Sequence, residues 1–248
     1  MTDLEAFLAS ASVDQAVFAL RPDYRALLIG VSGLPRSAST GGGPIDAAAD
    51  ELLLGAETVA RELLAENPVE QLPHVAAWRD AYRQFGAKPQ RTRNSLEALL
   101  RRAESGLPRV NPFTDIYNAI SVLHQVPIGG EDLSAYVGPP RLGRATGSEP
   151  FDTMANGAVA VERPDPGEVI WCDDGGVTCR RWNWRQGRRT QLTPATTSAL
   201  FILDALSPMT DEALTAAGDE LIDRLRGLEP ELSVAVRVLG AGNVRLPS

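Results

Sequence analysis

Phe85-Gly86-Ala87-Lys88-Pro89-Gln90-Arg91-Thr92-Arg93-Asn94-Ser95 and, beyond a short helix, Asn111-Pro112-Phe113-Thr114-Asp115-Ile116-Tyr117-Asn118 are the segments that decide how this chain is read. Lys88, Arg91 and Arg93 make a cationic strip, and next to it comes a cluster of small polar side chains. That pairing suits a ligand with an anionic backbone and a small polar end group. Between the segments, Asn94 and Glu97 form a capping-box pattern ahead of Leu96, Leu99, Leu100 and Ala103, and Gly106 with Pro108 ends the helix. Its first backbone amides follow Arg91 and Arg93 directly, which is where phosphate would bind. A second helix is predicted over residues 113–124, with Ile116, Ile120 and Leu123 as its apolar stripe. Asp115 and Asn118, three apart, share a face beside that stripe.

Working outward, the run Ala26-Leu27-Leu28-Ile29-Gly30-Val31 between Pro22 and Pro35 predicts a buried strand. Residues 37–44 read as a connector, because Gly41-Gly42-Gly43 lacks the Gly-Lys-Ser/Thr ending of a phosphate loop. Residues 46–65 are alanine- and leucine-rich with acids in the first turn, as a helix prefers. Val75, Trp78, Tyr82 and Phe85 fall at helical spacing and read as core aromatics. From Leu133 the texture changes to short strands, predicted over 137–144, 158–162, 168–172 and 177–182. Helices are predicted over 196–206 and 210–225, the latter with Thr210 as N-cap and Gly227 beyond its end, and a last strand over 232–239. The expected fold is α+β (mixed), a strand-rich centre flanked by helices, in one domain over residues 1–248.

A chain of 248 residues with 44% hydrophobic content can bury a substantial core. No run approaches eighteen apolar residues, and a start carrying Asp3 and Glu5 lacks the pattern of a signal peptide, so a cytoplasmic protein with no membrane partner is expected. Cys172 and Cys179 flank a turn and are expected as free buried thiols. With His74 and His124 they show no metal-ligand spacing, so neither metal nor cofactor is expected. The net charge of -8 is unevenly placed: residues 79–109 hold 8 bases and 3 acids, and residues 179–203 hold 5 arginines and no acid. Such a distribution keeps non-specific affinity for polyanions low while leaving one local phosphate-binding face.

Familiar catalytic sets are missing. Gly30-Val31-Ser32-Gly33 lacks the glycine two places after serine that a nucleophile elbow needs. Both histidines lie far upstream of the cysteines, and Asp173-Asp174 before two glycines reads as a turn. Any enzymatic activity must therefore rest on positioning and hydrogen bonding.

The run Asp115-Ile116-Tyr117-Asn118, with Pro127 twelve places after Asp115 and then Asp132, resembles the editing module, called B3/B4, of the phenylalanyl-tRNA synthetase beta subunit. The similarity to free-standing B3/B4 proteins is closer, through residues 85–89, 93–99, 111–118, 149–151 and Arg180-Arg181-Trp182-Asn183. It covers roughly residues 80–205, with a strand and helix added before and a helix and strand after. The resemblance implies hydrolysis of the ester of a mischarged tRNA. It sets Asn118 on the Asn of the synthetase motif and Asp204 on an acid late in the module. Two positions depart from it: Tyr117 stands where the synthetase has Thr, and Gly129 where it has His.

On this reading, Asn118, Asn111, Thr190 and backbone amides around Gly129 and Gly130 are the candidate oxyanion donors. Asp115 or Asp132 would hold the substrate amine, and Tyr117 would shape the pocket. Lys88, Arg91, Arg93, Arg181 and Arg185 would hold phosphates. The expected partner is an aminoacyl-tRNA, with a small amino-acid ligand possible. The alternative is a module that binds tRNA or an amino acid without chemistry.

Overall fold

The computed structural model describes residues 3–36, 42–155 and 157–241. Two small helices, α1 (Leu4–Ser10) and α2 (Gln15–Leu20), flank a short strand, β1 (Ser12–Val13), and precede β2 (Arg25–Ser32). Helices α3 (Pro44–Glu66), α4 (Pro73–Gln84), α5 (Ser95–Leu100) and α6 (Pro112–Leu123) follow. The strand-rich centre comprises β3 (Ile128–Asp132), β4 (Arg141–Arg144), β5 (Phe151–Ala155), β6 (Ala158–Glu162), β7 (Val169–Asp173), β8 (Gly176–Arg180) and β9 (Arg185–Gln186). The chain then adds β10 (Ser198–Ala205), α7 (Asp211–Leu228) and β11 (Ser233–Gly240). The fold is α+β, as expected.

A four-stranded antiparallel sheet, in the order β11-β2-β10-β3, organises these elements and is covered on both faces. Alternation along each strand divides the side chains between two cores. Leu27, Ile29 and Val31 of β2 and Phe201 and Leu203 of β10 pack under α6 and α7 with Phe113, Ile116, Leu214 and Leu221. Ala26 and Leu28, with Leu200 and Ile202, face the opposite way, toward Trp78, Tyr24 and Trp182. Gly30 lets α1 lie close on that second face, since a Cβ there would stand 3.4 Å from the Leu4 side chain. A third apolar cluster joins α3, α4 and α5 to the back of α6, whose residues from Pro112 to Val122 are all buried.

The strand β10 corrects the helix predicted over 196–206. Ala199 to Leu203 are buried without interruption because the sheet is sandwiched, and an unbroken apolar run carries no period by which strand and helix differ. Other expectations hold with shifted ends. The strand predicted at 137–144 is confined to β4, because Gly138, with φ 76°, and Pro139-Pro140 interrupt its first half. Helix α7 starts after the Thr210 cap, as predicted, but runs through Gly227 to Leu228. Asn94 caps α5 by accepting from the Glu97 amide at 2.9 Å, whereas the Glu97 carboxylate turns to Arg79 and Arg101 instead of completing a capping box. The cysteines are free, and Trp78 and Tyr82 are core residues. The predicted connector falls partly on residues 37–41, which lie outside the described residues.

Candidate functional site

A cavity of about 110 Å³ opens where the edge strand β3, the end of β10, the side of α6 and the segment 181–186 meet. Strand register explains its chemistry. Glu131 pairs across from Leu200 and Gly129 across from Ile202, and Asp204 lies two residues beyond Ile202 on the same face. Two carboxylates distant in sequence thus reach one side of the sheet. Both line the cavity, together with Tyr117, Asn118, Asn183, Gln186 and the indoles of Trp171, Trp182 and Trp184. Asn118, 7% exposed, makes no side-chain hydrogen bond to another described residue, so its amide is available to whatever enters.

The two acids sit in apolar surroundings. Asp204, 3% exposed, accepts from the Tyr24 hydroxyl at 2.6 Å and from Asn183 Nδ2 at 3.3 Å. Burial nevertheless pushes its pKa up to about 7, against the pull of those hydrogen bonds. Glu131, 1% exposed, accepts from the Tyr136 hydroxyl through Oε2, while Oε1 has no partner. Burial raises it too, to about 7. Neither acid is ion-paired to a basic residue among those described. Arg185 borders the cavity, but its guanidinium is drawn to Thr153 Oγ1 at 2.5 Å and Met154 O at 2.8 Å on the β5–β6 hairpin.

Tyr117 and Gln186 make the narrow wall. Tyr117 donates to Gln186 Oε1 at 3.3 Å, and Gln186 Nε2 donates to the Gly130 carbonyl at 2.9 Å. The tyrosine ring lies so close to Gly130 that a Cβ there would stand 2.7 Å from Tyr117 Cε1. Glycine at 130 is therefore a packing requirement of Tyr117. Burial raises the Tyr117 phenol, which stays neutral and can donate.

Behind the turn at residues 181–185 lies a second, larger cleft of about 520 Å³, bordered by Lys88, Arg91, Thr92, Glu168 and Arg181. The turn itself is unusual, since Arg181 and Trp182 both take positive φ, 47° and 68°, which costs of order 1–3 kcal/mol for side chains of that size. What holds it is visible. The Trp182 amide donates to Val169 O at 2.7 Å, its ring packs edge-on to Trp78 at 5.3 Å and to Tyr24 at 5.0 Å, and the Arg181 amide donates to Glu168 Oε1 at 3.1 Å. Successive residues therefore serve different spaces: Arg181 the cleft, Trp182 the core and the cavity wall, Asn183 the Asp204 carboxylate. The Trp184 ring lies 4.6 Å from the Arg181 guanidinium carbon and stacks on it. Lys88 and Arg91 have no acidic partner within 4.0 Å among the described residues, whereas Arg181 is held by Glu168 and Asp165.

The candidates from sequence divide accordingly. Tyr117, Asn118, Gly129, Asp204 and Arg185 meet at the small cavity, and Lys88, Arg91 and Arg181 at the cleft. Arg93 is exposed beside Glu97, 3.7 Å away, outside both. Asn111 caps α6, accepting from the Thr114 amide at 3.0 Å and donating to Leu192 O at 3.3 Å, so both ends of its amide are engaged. Asp115 accepts from the Val110 amide at 2.8 Å, and burial raises its pKa. Asp132 lies on the other face of β3 from Glu131 and is taken up by Ser134 and Thr196. Thr190 is fully buried, its hydroxyl unpartnered and its carbonyl accepting from the Asp132 amide. Glu131, Gln186 and the three indoles were not anticipated. Trp182 and Asn183 had a signal, as part of Arg180-Arg181-Trp182-Asn183. Among the described residues no cluster of His, Cys, Asp and Glu could hold a metal, and no helix is long and apolar enough to cross a membrane.

A family model described as B3/4 domain matches residues 77–236. The match begins on α4 and ends within β11, so it takes in both cavity and cleft and is wider than the stretch from which the resemblance was read. No curated protein matches the chain. Among solved structures, an N-terminal fragment of the phenylalanyl-tRNA synthetase beta-subunit from Pyrococcus horikoshii is similar at 13% identity with a TM-score of 0.46. The alignment covers 91% of this chain and 50% of that one, so the chain spans about half the length of that structure.

Proposed function

This chain belongs to the B3/4 domain family, and on that premise we propose that it is a trans-acting aminoacyl-tRNA editing factor that hydrolyses the ester of a mischarged tRNA. The observation that carries this reading is Asn118: a nearly buried amide with no partner of its own among the described residues, in a largely apolar cavity on the scale of a small acyl group. Support comes also from the cleft behind the 181–185 turn, where Lys88, Arg91 and Arg181 would meet the phosphates of the acceptor strand while the acyl end enters the cavity.

Water attacks the ester carbonyl carbon, negative charge develops on the carbonyl oxygen, and the bond to the terminal ribose oxygen breaks. The products are a free amino acid and a tRNA whose ribose oxygen has taken up a proton. Asn118 Nδ2 would donate to the developing oxyanion, while Tyr117 and Gln186 limit where the acyl group can sit. An aminoacyl ester is already labile, so a gain of a thousandfold to ten-thousandfold, about 4 to 5.5 kcal/mol, would suffice. Positioning and one or two oxyanion donors supply that much without a nucleophile or a metal.

Asn118→Ala is expected to lower deacylation of the susceptible mischarged tRNA by about 10²-fold or more with little change in tRNA affinity. Single-turnover release of labelled amino acid measures this. Release no faster than buffer hydrolysis across a panel of mischarged tRNAs, non-protein amino acids included, overturns the proposal. One observation favours a second reading, a module that binds tRNA or an amino acid without chemistry: Gly129 puts no imidazole into the cavity. That reading expects saturable binding and no release.

Phosphate contact by the cleft has its own signature. Lys88→Ala and Arg91→Ala are each expected to weaken tRNA binding for every tRNA alike and to reduce the slope of log K against log salt by about 0.7 to 0.9. Binding titrations between low and moderate salt test it, and an unchanged slope places the RNA elsewhere.

A further inference from the structure

We propose that the small cavity is a binding site for a primary ammonium group, received between the Glu131 and Asp204 carboxylates. If the cavity takes the acyl end of an aminoacyl-tRNA, as proposed above, the group so held is the α-ammonium of a small amino acid. The cavity chemistry itself does not depend on tRNA.

Three observations carry this. First, Glu131 Oε1 is a carboxylate oxygen that no residue meets in hydrogen-bond geometry, the nearby Thr178 hydroxyl being equally unpartnered, on a residue only 1% exposed that lines the cavity. A buried acceptor left alone is costly, and it is satisfied by a ligand that brings a donor. Second, the cavity holds two carboxyl groups and no competing cation. Neither acid has an ion pair among the described residues, the one bordering arginine is turned to the β5–β6 hairpin, and Glu131 raises the pKa of Asp204 by its charge. Both carboxyls stand near pKa 7, so an entering ammonium meets groups that can ionise at its arrival and then hold it by charge-assisted hydrogen bonds. Third, the rest of the wall is aromatic. Trp171 and Trp182 line the same space, and indole faces attract a cation while excluding water from it, whereas the Trp184 ring is already stacked on Arg181. An anionic acyl group is repelled by the two carboxyls, and a neutral one can bring a donor but not the charge they hold.

Size narrows the ligand further. A space of about 110 Å³ suits a small ligand. The Tyr117–Gln186–Gly130 wall is braced by hydrogen bonds at 3.3 and 2.9 Å, and Tyr117 already presses on Gly130. An amine with a methyl-sized or hydroxymethyl-sized substituent is expected to suit the cavity better than one carrying an aromatic ring.

The test uses the full chain and three amides that mimic the acyl end: alaninamide, which carries the ammonium, propionamide, which lacks it, and phenylalaninamide, which has it on a large side chain. Binding is followed through the indole N–H resonances of the tryptophans by NMR titration, in the millimolar range expected of so small a ligand. Alaninamide is expected to shift the indole signals saturably, propionamide to leave them unmoved, and phenylalaninamide to bind at least tenfold more weakly than alaninamide. Glu131→Gln, which keeps the side-chain shape and removes a buried charge, is expected to weaken alaninamide at least tenfold, and Asp204→Asn serves as the second variant if the first is poorly folded. Equal binding of alaninamide and propionamide, or no shift with any amine, overturns the proposal. Amine recognition without deacylation would leave this site standing and remove the editing function, whereas deacylation without amine discrimination would do the reverse.

Discussion

Raising the pH from 5 to 8 is expected to lower the stability of the folded chain by about 3 kcal/mol, a net of opposing contributions. Glu131 and Asp204 are harder to ionise in the fold than in the unfolded chain, with folded pKa values of about 7 against ordinary values near 4. Between those limits the folded state binds more protons than the unfolded state, so stability falls as pH rises, and it levels off above about 7. Each acid loses roughly 2.5 to 3 kcal/mol over pH 5 to 8. His74 opposes them. Burial lowers its pKa to about 4, so below about 6.5 the unfolded state takes up the proton, and raising the pH from 5 returns about 2 kcal/mol. The net loss is therefore steepest near pH 6 and fades above about 7, where both opposing contributions die away. Urea unfolding at closely spaced pH values measures it, and Glu131→Gln is expected to flatten the decline and to stabilise the chain at pH 8. Wild-type stability that is equal or greater at pH 8 would mean that the cavity acids ionise freely in the fold, and the electrostatic account of the cavity would fail.

Glu168→Ala is expected to cost about 3 kcal/mol, because it leaves a buried guanidinium with only the partly exposed Glu162 as its partner, 3.0 Å away. Glu168 takes Arg180 in a two-pronged pair, Nε to Oε1 at 2.9 Å and Nη2 to Oε2 at 2.8 Å, and also accepts from the Arg181 amide and Nε. Side-chain exposures of 3% and 8% leave water little access to either partner. The same carboxylate fastens the positive-φ turn that separates cavity from cleft, so its loss is expected to weaken RNA binding together with stability. The double variant Glu168→Leu with Arg180→Met is expected to lose much less than Glu168→Ala, since no buried charge is then left alone. Denaturant midpoints for the three proteins decide the matter. A single variant within 1 kcal/mol of wild type would show that the pair does not hold the turn.

Local pattern read well where one residue's neighbours in sequence are also its neighbours in space. The α5 cap at Asn94, the α7 cap at Thr210, the aromatic stripe of α4 and the alternating β11 all depend on contacts within four residues or on one solvent-facing side. Residues 196–206 did not read as a strand for the complementary reason: both faces of β10 are buried, so hydrophobicity erases the alternation that identifies a strand.

By itself the sequence determined the mixed α and β class, the basic segments, the lack of a familiar catalytic set and a family signature between residues 85 and 132 whose Asn118 faces the cavity. The resemblance had already pointed to Asp204, but only the tertiary structure decided which other acid shares its cavity. Asp115 and Asp132 looked well placed because they flank the signature, yet one holds the Val110 amide and the other lies on the far face of β3. Glu131 and Asp204 are separated by 73 positions, and only the antiparallel register of β3 against β10 sets them on one face. The reason is physical: register is read from the alternation of apolar and polar side chains, and β10, buried on both faces, carries no alternation to record it.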